Sequence, residues 1–195
     1  SILVPEEMND DSLNKTSLDL IYGDLNRGEV LTDKLPGWNL HNVYRVPSAL
    51  HQLLGAHFPK GQFFHAYTVI LKRKKQITPK VEGDEGTLVF YPNKLLFALF
   101  RNGELQIMQT FEYETAEDVA YHLLNACRQF NVDCEQILFR VSGLIDDHSS
   151  VYSGLQKYFL QVELDERPAD LKYNEAFNEY PLHFFTSLFN IALCE

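Results

Sequence analysis

At Thr115 the apolar residues of this chain change from recurring at every second position to recurring at every third or fourth, and that switch restricts the folds open to it. Before the switch, residues 87–91 are apolar and β-prone, Pro92-Asn93-Lys94 is turn chemistry, and residues 95–100 make a second apolar run. Arg101-Asn102-Gly103-Glu104 then carries the asparagine-glycine signal of a tight hairpin, and residues 105–113 alternate Leu105, Ile107 and Gln109 against Gln106, Met108 and Thr110. Three strands joined by such short turns form an antiparallel meander. After the switch, Thr115 followed by Asp118 resembles a capping box with Asp in place of Glu, and Val119, Leu123, Leu124 and Cys127 fall on one helical stripe. A strand is expected at 136–141, a helix at 149–159 with Val151, Leu155 and Phe159 on one face, and a strand at 160–164. A closing helix at 181–193 would carry Phe184, Phe185, Leu188, Phe189 and Ala192. The order β-β-β-α-β-α-β-α is a meander continued by right-handed parallel crossovers, which makes residues 87–195 an α/β domain with a mixed sheet.

The glycines and charges of Lys80-Val81-Glu82-Gly83-Asp84-Glu85-Gly86 read as the end of one unit and a linker, placed at residues 81–86. Residues 1–80 are less regular. They suggest the end of a strand at Ile2-Leu3-Val4-Pro5, a helix at 6–22, a strand at 42–46 closed by Pro47, and a helix at 49–57 capped by Ser48. A short strand at 62–64 would feed a further helix running into Lys72-Arg73-Lys74-Lys75. This half holds strand-helix units but no meander.

Of the formal charge of −10, residues 87–195 carry 16 acidic against 7 basic groups, while residues 1–86 carry 11 against 10. An acidic half of that kind repels phosphate backbones, so nucleic acid is not the expected partner. No stretch reaches the length of apolar chain that a membrane span needs, and the first 20 residues bear Glu6, Glu7, Asp10 and Asp11 where a signal peptide would be basic and then apolar. Cys127, Cys134 and Cys194 are few, odd in number and without metal-ligand spacing; free thiols in the reducing cytoplasm are the expectation.

Several segments together resemble a known family: Asn102-Gly103-Glu104-Leu105 with Thr110-Phe111-Glu112-Tyr113, then Glu117-Asp118 and Tyr121, Val141-Ser142-Gly143, and His183-Phe184-Phe185. Their order and spacing, with Leu3-Val4-Pro5 and Tyr44-Arg45-Val46-Pro47, are similar to the bacterial, mostly Bacteroidetes, domain-of-unknown-function family 3822. The resemblance implies an actin-like (ribonuclease-H-like) fold of two similar domains. Residues 1–80 would be the later strand-helix units of an incomplete first domain whose meander lies upstream of Ser1, and residues 87–195 the second domain.

Active ATPases of that fold place an Asp on the first strand of each domain, followed by a glycine-rich turn whose amides approach the nucleotide phosphates. The matching stretch here is Val89-Phe90-Tyr91-Pro92-Asn93-Lys94, with Tyr91 in the place of the Asp and no glycine after it. The paired glycine that such folds set under the adenosine is reduced to Ser142-Gly143. Ser149 and Ser150 precede a helix N-terminus, where an anion could be held. Ser142, Gly143, Ser149 and Ser150 are therefore the candidate positions for a relict nucleotide site, with ATP the possible ligand and no cofactor otherwise expected; the plainer alternative makes Gly143 a strand-to-helix turn residue. A two-metal nuclease on the same topology would draw on Glu117 or Asp118 and Asp146 or Asp147, but residues 87–91 supply no carboxylate, which leaves Asp146-Asp147-His148 as a solvated loop. His183 has no nucleophile elbow beside it, and the basic run at 72–75 suits a solvated helix end. The expected function is that of a non-catalytic actin-like protein working through a protein partner or self-association, the alternative being a nucleotide-binding protein or weak ATPase.

Overall fold

A computed structural model of the chain describes residues 1–23, 28–77 and 82–194. The chain divides into two compact units, Ser1–Gln76 with Cys194, and Ile77–Leu193.

The second unit is built from β4 (Asp84–Phe90), β5 (Lys94–Arg101), β6 (Glu104–Glu112), α4 (Ala116–Gln129), β7 (Leu138–Gly143), α5 (Ser150–Tyr158), β8 (Gln161–Leu164) and α6 (Thr186–Ile191). The first unit contributes β1 (Ile2–Pro5), β2 (Glu29–Leu35), β3 (Leu40–Val46), α1 (Asp11–Tyr22), α2 (Ser48–His57) and α3 (Ala66–Ile77). Strand order is β6-β5-β4-β7-β8. Pairing is antiparallel through β4, β5 and β6 and parallel from β4 to β7 to β8. The meander closes on an Asn102-Gly103 turn with positive φ at both residues. Thr115 and Asp118 form the reciprocal capping box at the start of α4. One face of the sheet and the inner stripes of α4 and α5 make the core, in which Leu88, Leu95, Phe97, Leu99, Val119, Leu123, Ile137, Phe139 and Val141 are fully buried.

Two expectations fail in this unit. Asp84, Glu85 and Gly86 lie in β4 and not in a linker, while residues 80 and 81 fall outside the described residues. Their sequence looks like a turn, but parallel pairing of Glu85, Gly86 and Thr87 with Leu138, Phe139 and Arg140 extends the strand. Gly86 is needed there because a Cβ would run into the ring of Phe139. The closing helix spans only Thr186–Ile191, after a 3-10 turn at Glu175–Glu179, because the carbonyl of His183 is taken by the N–H of Gly143 (2.9 Å) and is lost to any helix.

The first unit holds β1 (Ile2–Pro5), α1 (Asp11–Tyr22), β2 (Glu29–Leu35), β3 (Leu40–Val46), α2 (Ser48–His57) and α3 (Ala66–Ile77). Its sheet, in the order β1-β3-β2, is antiparallel throughout. The hairpin of β2 and β3 is new relative to the sequence reading, since Glu29, Asp33 and Lys34 interrupt the apolar pattern of β2. Residues 62–64 form no strand. Ser48 makes no side-chain cap; Pro47, with φ −53°, is the cap residue and Ser48 the first of the helix. Leu18 packs inward from α1, whereas Leu13, Leu20 and Ile21 are exposed on it, as are Leu50 and Leu53 on α2, which buries no residue. Among the described residues no helix is long and apolar enough to cross a membrane.

Candidate functional site

In a sheet of this topology the parallel strands β4 and β7 end side by side, and the backbone amides just beyond them are where a ligand would be met. Here those amides are bonded within the chain. Gly143 N–H donates to the His183 carbonyl at 2.9 Å, Leu144 N–H to the Phe90 carbonyl at 2.8 Å, and Tyr91 N–H to the Lys94 carbonyl at 2.8 Å across the β4–β5 turn. The Tyr113 hydroxyl donates to the Tyr91 carbonyl at 2.8 Å. Gly143 has φ +88°, and a Cβ at that position would overlap the Phe90 carbonyl, so both its conformation and its contact demand glycine. His183 is buried, and its Nε2 donates to the Ile145 carbonyl at 2.8 Å. Together its backbone and ring hold Gly143 and Ile145.

The four candidate positions do not converge. Ser142 is buried, its hydroxyl 3.5 Å from the Leu88 carbonyl between the strands, and Gly143 is enclosed as described. Ser149 caps α5: its hydroxyl accepts from Tyr152 N–H (3.1 Å) and donates to the Asp146 carbonyl (2.6 Å). Ser150 alone lines an open groove of about 530 Å³ between the start of α4 and one face of α5, with Glu117, Ser153 and Lys157. Gly154, which also lines the groove, lets α5 lie close to Ala116: a Cβ there would stand 3.1 Å from the Ala116 Cβ.

The carboxylates considered for metal chemistry have local work. Asp118 accepts from the amides of Glu114 and Thr115 at 3.0 and 2.9 Å, and those bonds hold its carboxyl below the usual range. Asp146 accepts from His148 N–H at 2.8 Å in the loop before α5. Among the described residues no three His, Cys, Asp or Glu side chains are grouped as metal ligands. The basic run is less solvated than its sequence implies: Lys72 donates to the Cys194 carbonyl (2.9 Å) over the ring of Phe64, and Lys75 lies over the ring of Trp38.

Sequence reasoning missed a buried polar cluster in the first unit. Asp33 on β2 accepts from Tyr44 Oη (3.0 Å), Thr68 Oγ1 (2.7 Å) and His65 N–H (2.9 Å), and Asn42 donates to Thr68 Oγ1 (3.0 Å). Asp33 thus tethers the start of α3 to the sheet. Burial holds the His65 imidazole down to about 4, and its Nδ1 accepts from Tyr67 N–H at 3.1 Å. The sequence signal was Asp33 between Leu31 and Leu35, at the alternate positions that share one face of the strand.

Residues 1–162 match a protein family described as protein of unknown function (DUF3822). A crystal structure from Bacteroides thetaiotaomicron VPI-5482, described as a protein with actin-like ATPase fold and unknown function, superimposes with a TM-score of 0.82 at 16% identity. That similarity covers 100% of this chain and 70% of the other; at such identity it speaks for the fold alone. No curated protein matches the chain.

Proposed function

The chain belongs to the DUF3822 family of proteins of unknown function and has an actin-like ATPase fold, and from that premise we propose that it is a non-catalytic actin-like module acting through protein contacts. The observation that carries this reading is the internal pairing of the Tyr91, Gly143 and Leu144 amides. A nucleotide phosphate or adenosine placed at the ends of β4 and β7 would have to break these bonds and strand the Phe90 and His183 carbonyls, at about 1–3 kcal/mol for each buried group left unpaired. Tyr91 also follows β4 where an active ATPase of this fold has a metal-organising carboxylate. The residues present do not fit a nucleotide.

Support for protein contacts comes from residues 173–191, whose Tyr173, Phe177, Tyr180, Phe185 and Phe189 rings pack edge to face without any becoming buried. Arg167 organises them, donating to the Phe177 and Tyr180 carbonyls. Leu182 and Leu188 are 51% and 60% exposed in the same segment. Clustered aromatic and aliphatic surface of this sort is the usual material of interface anchors.

The test has two arms. The folded protein should release no phosphate from magnesium ATP above background, and millimolar ATP or ADP should leave its melting temperature unchanged. Phosphate release lost on replacing Asp146 or Asp147 would move the reading to a weak ATPase. In the second arm, a photoreactive residue at position 188 in native cells should crosslink one defined protein or a second copy. Crosslinking no stronger than from position 158 on α5 would remove the contact surface.

A further inference from the structure

The groove between α4 and α5 lies within the second unit and is lined by more polar chemistry than the fold uses. Glu114 and Glu117 stand on one wall, just before and in the first turn of α4, and Ser150, Ser153, Lys157 and Tyr158 stand on the other. The second wall follows from helical spacing: positions 150, 153, 157 and 158 fall on one stripe of α5, and Gly154 among them lies close to Ala116. Among the described residues, none of these six side chains makes a hydrogen bond or an ion pair within the chain. An ammonium group and two carboxylates thus share one groove without pairing with each other. The contrast is with the ends of β4 and β7, where the Tyr91, Gly143 and Leu144 amides are all bonded within the chain.

We infer that this groove binds a short peptide with a free ammonium group and a free carboxylate. The charge pattern selects among ligand classes. Glu114 and Glu117 repel a phosphate or a nucleotide, for which Lys157 is a single partner. A neutral saccharide would cover three charges and supply a counter-charge to none. An apolar molecule meets one aromatic ring, that of Tyr158, and no aliphatic side chain larger than that of Ala116. A zwitterion answers both signs: its ammonium group donates to the Glu114 and Glu117 carboxylates, and its carboxylate accepts from Lys157. Length selects further. Ser150 and Lys157 lie about 10 Å apart along the axis of α5, which matches an extended chain of about three residues. The backbone of a tripeptide also presents N–H groups for the Ser150 and Ser153 hydroxyls to accept from and carbonyls for them to donate to. Nothing in the proposed contact function uses this groove, so the two readings fail separately.

The experiment follows the amide resonances of the isotope-labelled folded chain while trialanine with free termini is added to about 10 mM. We expect shifts confined to residues 114–117 and 150–158. Binding should weaken about fivefold on acetylating the ammonium group, on amidating the carboxylate, in Glu117→Gln and in Lys157→Gln. Lys60→Gln, in the other unit, should bind as the wild type does. The same spectra show that each variant is folded. No shifts at that concentration, shifts outside the groove, or binding that survives removal of both terminal charges overturns the inference. So does equally tight binding of inorganic phosphate or maltotriose, which would make the groove an anion or a saccharide site. Equally tight binding of a peptide with blocked termini and arginine and aspartate side chains overturns it too, in favour of a dock for a segment of another protein.

Discussion

Gly143 is fixed as glycine by its backbone conformation and by its nearest neighbour alike. Its φ of +88° and the carbonyl of Phe90 against it leave no room for a Cβ. Gly143→Ala should therefore lower stability by more than ~1 kcal/mol in urea unfolding, with or without nucleotide; a cost well under that would mean the turn can relax. A second residue-scale expectation concerns acid. His65 is neutral in the fold, its imidazole held down to about 4 against an ordinary value near 6.5, so the unfolded chain binds more protons between those values. Its contribution is complete above about pH 6.5 and is lost as pH falls towards about 4. Unfolding free energy measured at pH 7, 5.5 and 4.5 should decline more steeply for the wild type than for His65→Gln, and parallel declines would refute this.

At the scale of elements, the helix starts divide into those held by side chains and those held by the backbone. Thr115 and Ser149 accept from Asp118 and Tyr152 amides, so Thr115→Ala or Ser149→Ala should each cost about 1 kcal/mol by urea denaturation. Ser48→Ala should stay within about 0.5 kcal/mol of the wild type, since Ser48 caps nothing. Equal losses at all three would show that the caps act through something other than these bonds. The contrast was half legible beforehand. The Thr115–Asp118 spacing announces a capping box, because both partners lie within one turn, whereas Pro47-Ser48 offers two neighbouring cap residues and only φ distinguishes them. The shortened α6 was not legible at all, as its cause is a hydrogen bond from residue 143 to residue 183.

For the whole molecule, the units differ in how well they enclose their cores. The second has a five-stranded sheet with fully buried Phe90, Phe97 and Phe139, while the first has three strands and exposes Leu13, Leu20 and Ile21 on α1 and Leu50 and Leu53 on α2. Amide hydrogen exchange on a monomer should thus be slowest in β4, β5 and β7 and markedly faster throughout β1–β3. Uniform protection across both sheets would contradict that. The meander, the crossovers and the helix stripes of residues 87–164 were readable in order because each depends on contacts between near neighbours: turn chemistry, capping, and a hydrophobic period of two or 3.6. The absence of a carboxylate from residues 87–91 was equally plain, being a matter of residue type. What the sequence could not reveal was how the ends of β4 and β7 are closed and how Asp33 comes to tether α3. It marked Ser142, Gly143, Ser149 and Ser150 as neighbours along the chain, yet two are enclosed between strands, one is spent on a cap and one faces a separate groove. Those outcomes belong to the tertiary structure, since a backbone amide has the same identity at every position and only the folded path decides which carbonyl reaches it first.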